Sequence, residues 1–283
     1  MKKGKPVFFR RKAEETPLHI AVLFNDYKQL MTLREDEELM LSRNSLGFTA
    51  LEIARLLDKR KCVQILQPEN PRKIKVALKG EALLSEYSES EFEELFKTRY
   101  LPFQYFKDYA YLKEIIRQCP WAIKWSYFGR QNRSLSRRYQ KELSSGYTPD
   151  MTIKWVHDEI GYGVYTNDEL NLGDYIGEYT GNIRPLDSKA PNHNPYCMLY
   201  PTNYWSGNVL MVDALKGANI LRFINHSDTP NLTPVCLVDR GILHLVFIAG
   251  ASICKGTHLT VDYGKDYWLN REKISLSQED IPR

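Results

Sequence analysis

Three short segments hold residues whose types could do chemistry together. Gly161-Tyr162-Gly163 sets two glycines around a tyrosine; without Cβ atoms the backbone there can approach a ligand closely with its amides and carbonyls free. Asn225-His226 follows the largely apolar Leu221–Ile224, and Tyr263 ends a second apolar run over His258–Val261. An amide, an imidazole and a phenol are positioning groups that donate and accept hydrogen bonds at fixed angles, and a phenol of pKa ~10 keeps its proton at neutral pH. Taken singly, each has an ordinary reading. Gly-x-Gly is a turn, a histidine beside an apolar run is a satisfied core residue, and most of the 18 tyrosines are packing or surface groups. Their order along the chain is what sets them apart.

The elements that must hold them change character at Pro149. Beyond it come short apolar runs with turn residues between them, which predict strands over Ile153–His157, Gly163–Thr166, Tyr175–Tyr179, Tyr196–Tyr200, Val209–Val212, His244–Ala249 and His258–Val261. Before it the periodicity is helical. Ser88-Glu89-Ser90-Glu91 has the form of a capping box ahead of Phe92, Leu95 and Phe96, and a weaker helical pattern runs through Tyr111, Leu112, Ile115 and Ile116. Gln67-Pro68-Glu69-Asn70-Pro71 reads as a break. Upstream of it, TPLHIA from Thr16 and TALEIA from Thr49 begin 33 positions apart. A threonine cap, a proline in the first helical turn and Gly47 in a tight turn suit a helix start, and Leu18, Ala21 and Val22 share one face. The motif and its period resemble ankyrin repeats, of which two are legible over 10–68.

Composition bounds the rest. An apolar content of 43% and a charged content of 26% are those of a soluble globular protein. No run of 18 apolar residues is present to cross a membrane, and the basic start MKKGKPVFFRRK lacks the apolar core of a secretory leader. The five cysteines form no Cys-x-x-Cys or Cys-x-Cys pair, which predicts buried thiols in a reducing compartment, cytoplasm or nucleus, and no structural metal. Charge is uneven: residues 150–283 carry a net −5 and residues 1–149 a net +9. An acidic C-terminal half suits a basic substrate. The basic stretch Arg130–Lys141 reads as a solvated face rather than a nucleic-acid contact.

RFINHSDTPN over Arg222–Asn231, THLTVDYG over Thr257–Gly264 and GYGVYTNDELNLGDYIGEYTG over Gly161–Gly181 together resemble the three signatures of SET-domain lysine methyltransferases, from Met151 to about Trp268. The resemblance implies an α+β protein: ankyrin-like helical repeats over 10–68, a helical connector over 73–149 with its helices within 73–125, a β-rich SET domain over 150–270 and a tail over 271–283. In that family a pseudoknot joins the second and third signatures, a threading that propensity alone does not predict. The implied cofactor is S-adenosylmethionine, bound by Gly161, Tyr162, Gly163, Asn225, His226, Tyr263 and Trp268, with Asn225 acting through its side chain, His226 through its backbone and Trp268 by stacking on the adenine. Tyr263 and Tyr196 are the implied catalytic residues; Arg222, Asn231 and Asp262 are scaffold. Two positions depart from the pattern. His258 stands where the family has glutamate, which reads as an altered surface contact, and Val261 stands where an aromatic residue is usual. The cysteine-rich segment that often follows the third signature is absent.

The implied reaction moves a methyl group to the side-chain amine of a lysine in a basic, histone-like protein. A lysine of pKa ~10.4 is uncharged in only about one molecule in a thousand near pH 7.4, and shifting it by ~3 units takes about 4 kcal/mol of desolvation and like-charge repulsion. The ankyrin pairing resembles SET proteins of intracellular bacteria, which would place an exported form in a host nucleus. The rival reading is an interaction protein, with ankyrin-like repeats and a SET domain that bind partners without turnover.

Overall fold

The computed structural model describes residues 15–68, 72–81, 83–119, 127–186, 194–200 and 209–268. The basic start over 1–12, the centre of the break at 69–71 and the tail over 271–283 lie outside them. The chain divides into two compact units, Met1–Glu69 and Asn70–Arg283.

The first unit is helical: α1 Pro17–Phe24, α2 Tyr27–Leu33, α3 Glu37–Leu41, α4 Ala50–Leu56 and α5 Arg60–Leu66. Thr16 and Thr49 each cap a helix, and each cap is reciprocated, by His19 and Glu52. His19 is fully buried and its Nε2 lies 2.9 Å from the Phe48 carbonyl, tying α1 to the approach to α4. Gly47 takes a positive φ of 88° in the turn between them, a conformation that costs a Cβ-bearing residue energy. Leu18, Ala21, Val22, Leu30, Ile53 and Ala54 form the inner face.

The second unit opens with strands. Ile74-Lys75-Val76-Ala77 forms β1 and Ser85–Tyr87 forms β2, ahead of α6 Glu89–Phe96, β3 Arg99–Tyr100 and α7 Tyr109–Gln118. This corrects the helical connector expected over 73–125. Ile74 and Val76 alternate with Lys75 and Ala77, a period of two over four residues that a search for long helical periods passes over, and both inward side chains are buried. Helices α8 Tyr127–Arg138 and α9 Gln140–Ser145 follow, and then β4 Met151–His157, β5 Gly161–Thr166, β6 Tyr175–Glu178, β7 Asn182–Pro185, β8 Cys197–Tyr200, β9 Leu210–Asp213, β10 Gly217–Ala218, a 3-10 turn Ile220–Phe223, β11 Asn225–His226, β12 Leu232–Asp239, β13 Ile242–Ala249, β14 His258–Val261 and α10 Lys265–Trp268.

One sheet carries six strands in the order β11-β14-β5-β4-β1-β2. Because β1 runs parallel to β4, with Val76 opposite Ile153, this sheet begins well before residue 150. Two three-stranded sheets, β12-β13-β6 and β7-β9-β8, and the pair β10-β3 complete the β structure of the described residues. Tyr139 and Leu143 from the end of α8 and from α9 pack on Tyr175, Leu237 and Val246, so those helices cover the β12-β13-β6 sheet. The outer side of α8 leaves Arg137 and Arg138 exposed, as a solvated basic face requires. β13 is apolar almost throughout because it is the middle strand and buried on both sides. Its partner β12 was not among the strands expected from the sequence; it holds Pro234, which is tolerated because β12 is an edge strand, where a missing N–H costs no ladder bond.

Candidate active site

The three segments that could do chemistry come together on three adjacent strands. β5, which starts at Gly161, pairs antiparallel with β14, and β14 pairs in parallel with the two-residue β11. Asn225 lies opposite Thr260 and His226 opposite Val261, and the Ser227 amide continues the ladder to the Val261 carbonyl at 3.2 Å. Residues remote in sequence are thus held in register by backbone hydrogen bonds.

Asn225 donates its side-chain Nδ2 to the Tyr162 carbonyl at 3.1 Å and lies 3.3 Å from His258 Nε2. Gly163 makes this possible, because a Cβ there would stand 2.4 Å from His258 Nε2 and 2.9 Å from Asn225 Nδ2. Gly161 differs. It has a φ of +80° and nothing within 4 Å of where a Cβ would point, so its backbone borders open space. A register shift between Trp155 and His157 bends β4 against this end of β5.

His226 is buried. Its Nδ1 accepts from the Tyr263 amide at 3.2 Å, so the neutral ring carries its proton on Nε2, 3.4 Å from an Asp228 carboxylate oxygen. Its ring meets Tyr263 at 5.5 Å and Trp268 at 4.8 Å, and Trp268 lies nearly parallel to Tyr263 with centroids 6.1 Å apart. Trp268 Nε1 is buried with no hydrogen-bond partner among the described residues.

Tyr263 donates its hydroxyl to the Ile224 carbonyl at 2.7 Å. Burial, then the neighbouring Tyr267 and Tyr196 hydroxyls, push it far above the ordinary phenol range, so it keeps its proton and works as a neutral hydrogen-bonding group. Tyr196 stands nearby with its ring 4.1 Å from the Arg222 guanidinium. Tyr179, which sequence reasoning did not single out, donates its hydroxyl to the Tyr196 carbonyl at 3.1 Å and is itself held protonated by burial. The Tyr175–Glu178 alternation places Tyr179 just past a strand end, but nothing there separates it from the other tyrosines.

Arg222 belongs to the wall beside Tyr196. It is buried, hydrogen-bonded to Thr98, set over the rings of Tyr196 and Phe223, and lowered in pKa by burial. The segment before residue 150 also builds this wall, since Phe96 of α6 packs on Tyr162 at 5.2 Å and on Phe223 at 4.6 Å.

Asn231 is scaffold in the expected sense: it donates to the His258 carbonyl at 2.7 Å and accepts from the Thr260 amide at 2.9 Å. Asp262 is exposed and caps the turn by accepting from the Gly264 amide at 2.8 Å. The expectation for His258 is overturned. It is no surface contact but a buried ring, stacked on Tyr165 at 4.5 Å and placed against Asn225. β14 lies between β11 and β5, and this side chain is buried there.

The open backbone at Gly161, the Asn225 side chain and the aromatic group of His226, Tyr263 and Trp268 suit a ligand with a charged amine at one end and a flat base at the other. Among the described residues no group of three His, Cys, Asp or Glu side chains is placed to hold a metal ion, and no helix is long and apolar enough to cross a membrane.

Residues 161–264 match the family model described as SET domain. It is 31% identical over 151 residues to a putative histone-lysine N-methyltransferase 1 of Plasmodium falciparum, covering 50% of this chain and 2% of that protein. It is 32% identical over 120 residues to the histone-lysine N-methyltransferase EHMT1 of Mus musculus, covering 41% of this chain and 9% of that protein. It is also 30% identical over 142 residues to the N-lysine methyltransferase KMT5A-A of Danio rerio, covering 47% of this chain and 39% of that protein. The chain therefore spans well under half the length of these relatives. A solved structure of KRYPTONITE in complex with mCHH DNA, H3(1-15) peptide and SAH is 25% identical, covering 41% of this chain and 23% of that one with a TM-score of 0.34, too low to compare folds.

Proposed function

We propose that this protein transfers methyl groups from S-adenosylmethionine to the side-chain amine of lysine in a basic, histone-like protein. The observation that carries the reading is the β5-β14-β11 arrangement, which brings the strand that starts at Gly161, the Asn225-His226 pair and the strand end before Tyr263 side by side. The cofactor, when bound, supplies a methyl group on a cationic sulfonium. Asn225 offers an amide oxygen to its ammonium, the Gly161–Gly163 backbone lets it approach closely, and Trp268 with His226 forms the flat surface that suits its base.

Tyr263, Tyr196 and Tyr179 surround the incoming lysine amine. The hydroxyls of Tyr263 and Tyr179, held protonated by burial, can orient it by hydrogen bonds, and the three rings exclude water, which favours the uncharged amine. The buried Arg222 cation beside Tyr196 opposes a second positive charge there, favouring the same form. A side chain acting as a strong base is not needed.

The paired hairpins of the first unit, read as ankyrin-like repeats, would recruit or orient the protein substrate. The relatives' names support histone as the substrate class. The test is transfer of tritium-labelled methyl from S-adenosylmethionine onto a panel of core histones and bacterial DNA-binding proteins. Labelling of at least one lysine is expected, and no labelling of any member would favour a binding module without turnover.

A further inference from the structure

His258 is buried beside the cofactor asparagine, and no step of the proposed mechanism uses it. Its ring is pinned on two sides and its backbone is anchored. It stacks on Tyr165 at 4.5 Å with planes 15° apart, its Nε2 fills the space beside Gly163 together with the Asn225 amide and Val156, and Asn231 anchors the residue's backbone carbonyl at 2.7 Å. The residue as a whole is 1% exposed, so neither water nor a rotamer change can easily replace what Nε2 does.

The direction of the Asn225 amide follows from its partners. The Tyr162 carbonyl, 3.1 Å away, can only accept, so the nitrogen end of the amide must face it. That nitrogen also lies 3.3 Å from His258 Nε2. Nε2 must then present its lone pair to the second amide hydrogen, with the ring proton on Nδ1. With both hydrogens engaged, the amide oxygen, which accepts no hydrogen bond from the described residues, remains available to a cationic ligand. Without His258 as acceptor, one hydrogen of this half-buried amide loses its partner and the oxygen loses its fixed direction.

We propose that His258 is a positioning residue for cofactor binding: its Nε2 accepts from Asn225 and holds the amide oxygen toward the cofactor ammonium. This rests on the methyltransferase reading given above. The consequence is graded by where the acceptor atom sits. Phenylalanine keeps the ring stacked on Tyr165 but has no acceptor. Glutamine places its amide oxygen three bonds from Cβ, where Nε2 stands, whereas asparagine reaches only the Nδ1 position.

The experiment is calorimetric titration of the full chain with S-adenosylmethionine, with thermal melts of every variant. Loss of this acceptor and of the amide's fixed direction is expected to weaken binding by about 10-fold in His258→Phe. His258→Gln is expected to bind within about 3-fold of wild type, and His258→Asn, which also serves if the phenylalanine variant does not fold, to bind as weakly as His258→Phe. Adding His258→Phe to Asn225→Ala is expected to cause no further loss, because His258 acts through Asn225. Unchanged binding by His258→Phe, no rescue by His258→Gln, or losses that multiply in the double variant would each overturn the assignment. Wild-type protein that does not bind S-adenosylmethionine, or binds it equally with Asn225→Ala, would overturn the methyltransferase site itself and this inference with it.

Discussion

Gly163 is the tightest point of the site, and one added methyl group is enough to test it. A Cβ there meets His258 Nε2 at 2.4 Å and Asn225 Nδ2 at 2.9 Å, so the stacked imidazole or the amide must move. Gly163→Ala is expected to cost about 1–3 kcal/mol of stability and to weaken cofactor binding, read by denaturant titration and calorimetry; wild-type values for both would show that the contact is slack. A second residue-scale test concerns a pair outside the site. His244 Nδ1 lies 2.7 Å from a Glu178 oxygen, both largely buried. Burial alone would lower the imidazole, but the adjacent carboxylate and its hydrogen bond hold it above its ordinary value. A raised folded pKa means that this contribution is fully present below the unfolded imidazole's pKa of ~6.5 and is lost as pH rises through the folded value. The urea midpoint should fall across that window in wild type and change less in Glu178→Gln, which keeps a neutral partner; parallel profiles would contradict the pairing.

At the scale of elements, the sheet does not respect the boundary that the sequence texture draws at Pro149. β1 covers the edge of β4, burying Val76 and Ile153, and Phe96 of α6 lines the site through Tyr162 and Phe223. A fragment over 150–270 therefore exposes a long strand edge and an aromatic wall, and is expected to aggregate or melt without cooperativity, while a fragment over 70–283 folds. A cooperative melt from the shorter piece would show that β1 and α6 are dispensable. The same elements mark what could be read in advance. Asn225, His226 and Tyr263 were legible because each sits in a dense run of distinctive residue types, and Thr16, Thr49 and Ser88 because capping is local chemistry. β1 and β12 were not, since four alternating residues and a strand containing Pro234 gain their structure from the neighbours they pair with. Tyr179 was passed over and His258 misread for a related reason: their contacts are with residues 17 and 33 positions away, which no local pattern encodes.

At the scale of the whole molecule, we propose recruitment for the first unit and chemistry for the second. Removing residues 1–68 is then expected to raise the apparent KM for a full-length protein substrate and to leave turnover of a short lysine peptide largely intact; equal losses on both would make the helical unit a support for the catalytic one. The charge asymmetry, −5 beyond residue 150 against +9 before it, adds that capture of a basic substrate by the acidic half should weaken with salt. The central claim is that Tyr263 and its neighbours methylate lysine by positioning, with no strong base. Its most direct measurement is single-turnover methyl transfer, followed by mass spectrometry of the modified lysine, for wild type and Tyr263→Phe at saturating S-adenosylmethionine. That variant keeps the ring against His226 and Trp268 and removes only the hydroxyl, so its melt should match wild type while transfer slows by about 30- to 1000-fold, the loss of a hydrogen bond worth about 2–4 kcal/mol in the transition state. Transfer by Tyr263→Phe at the wild-type rate would contradict the account.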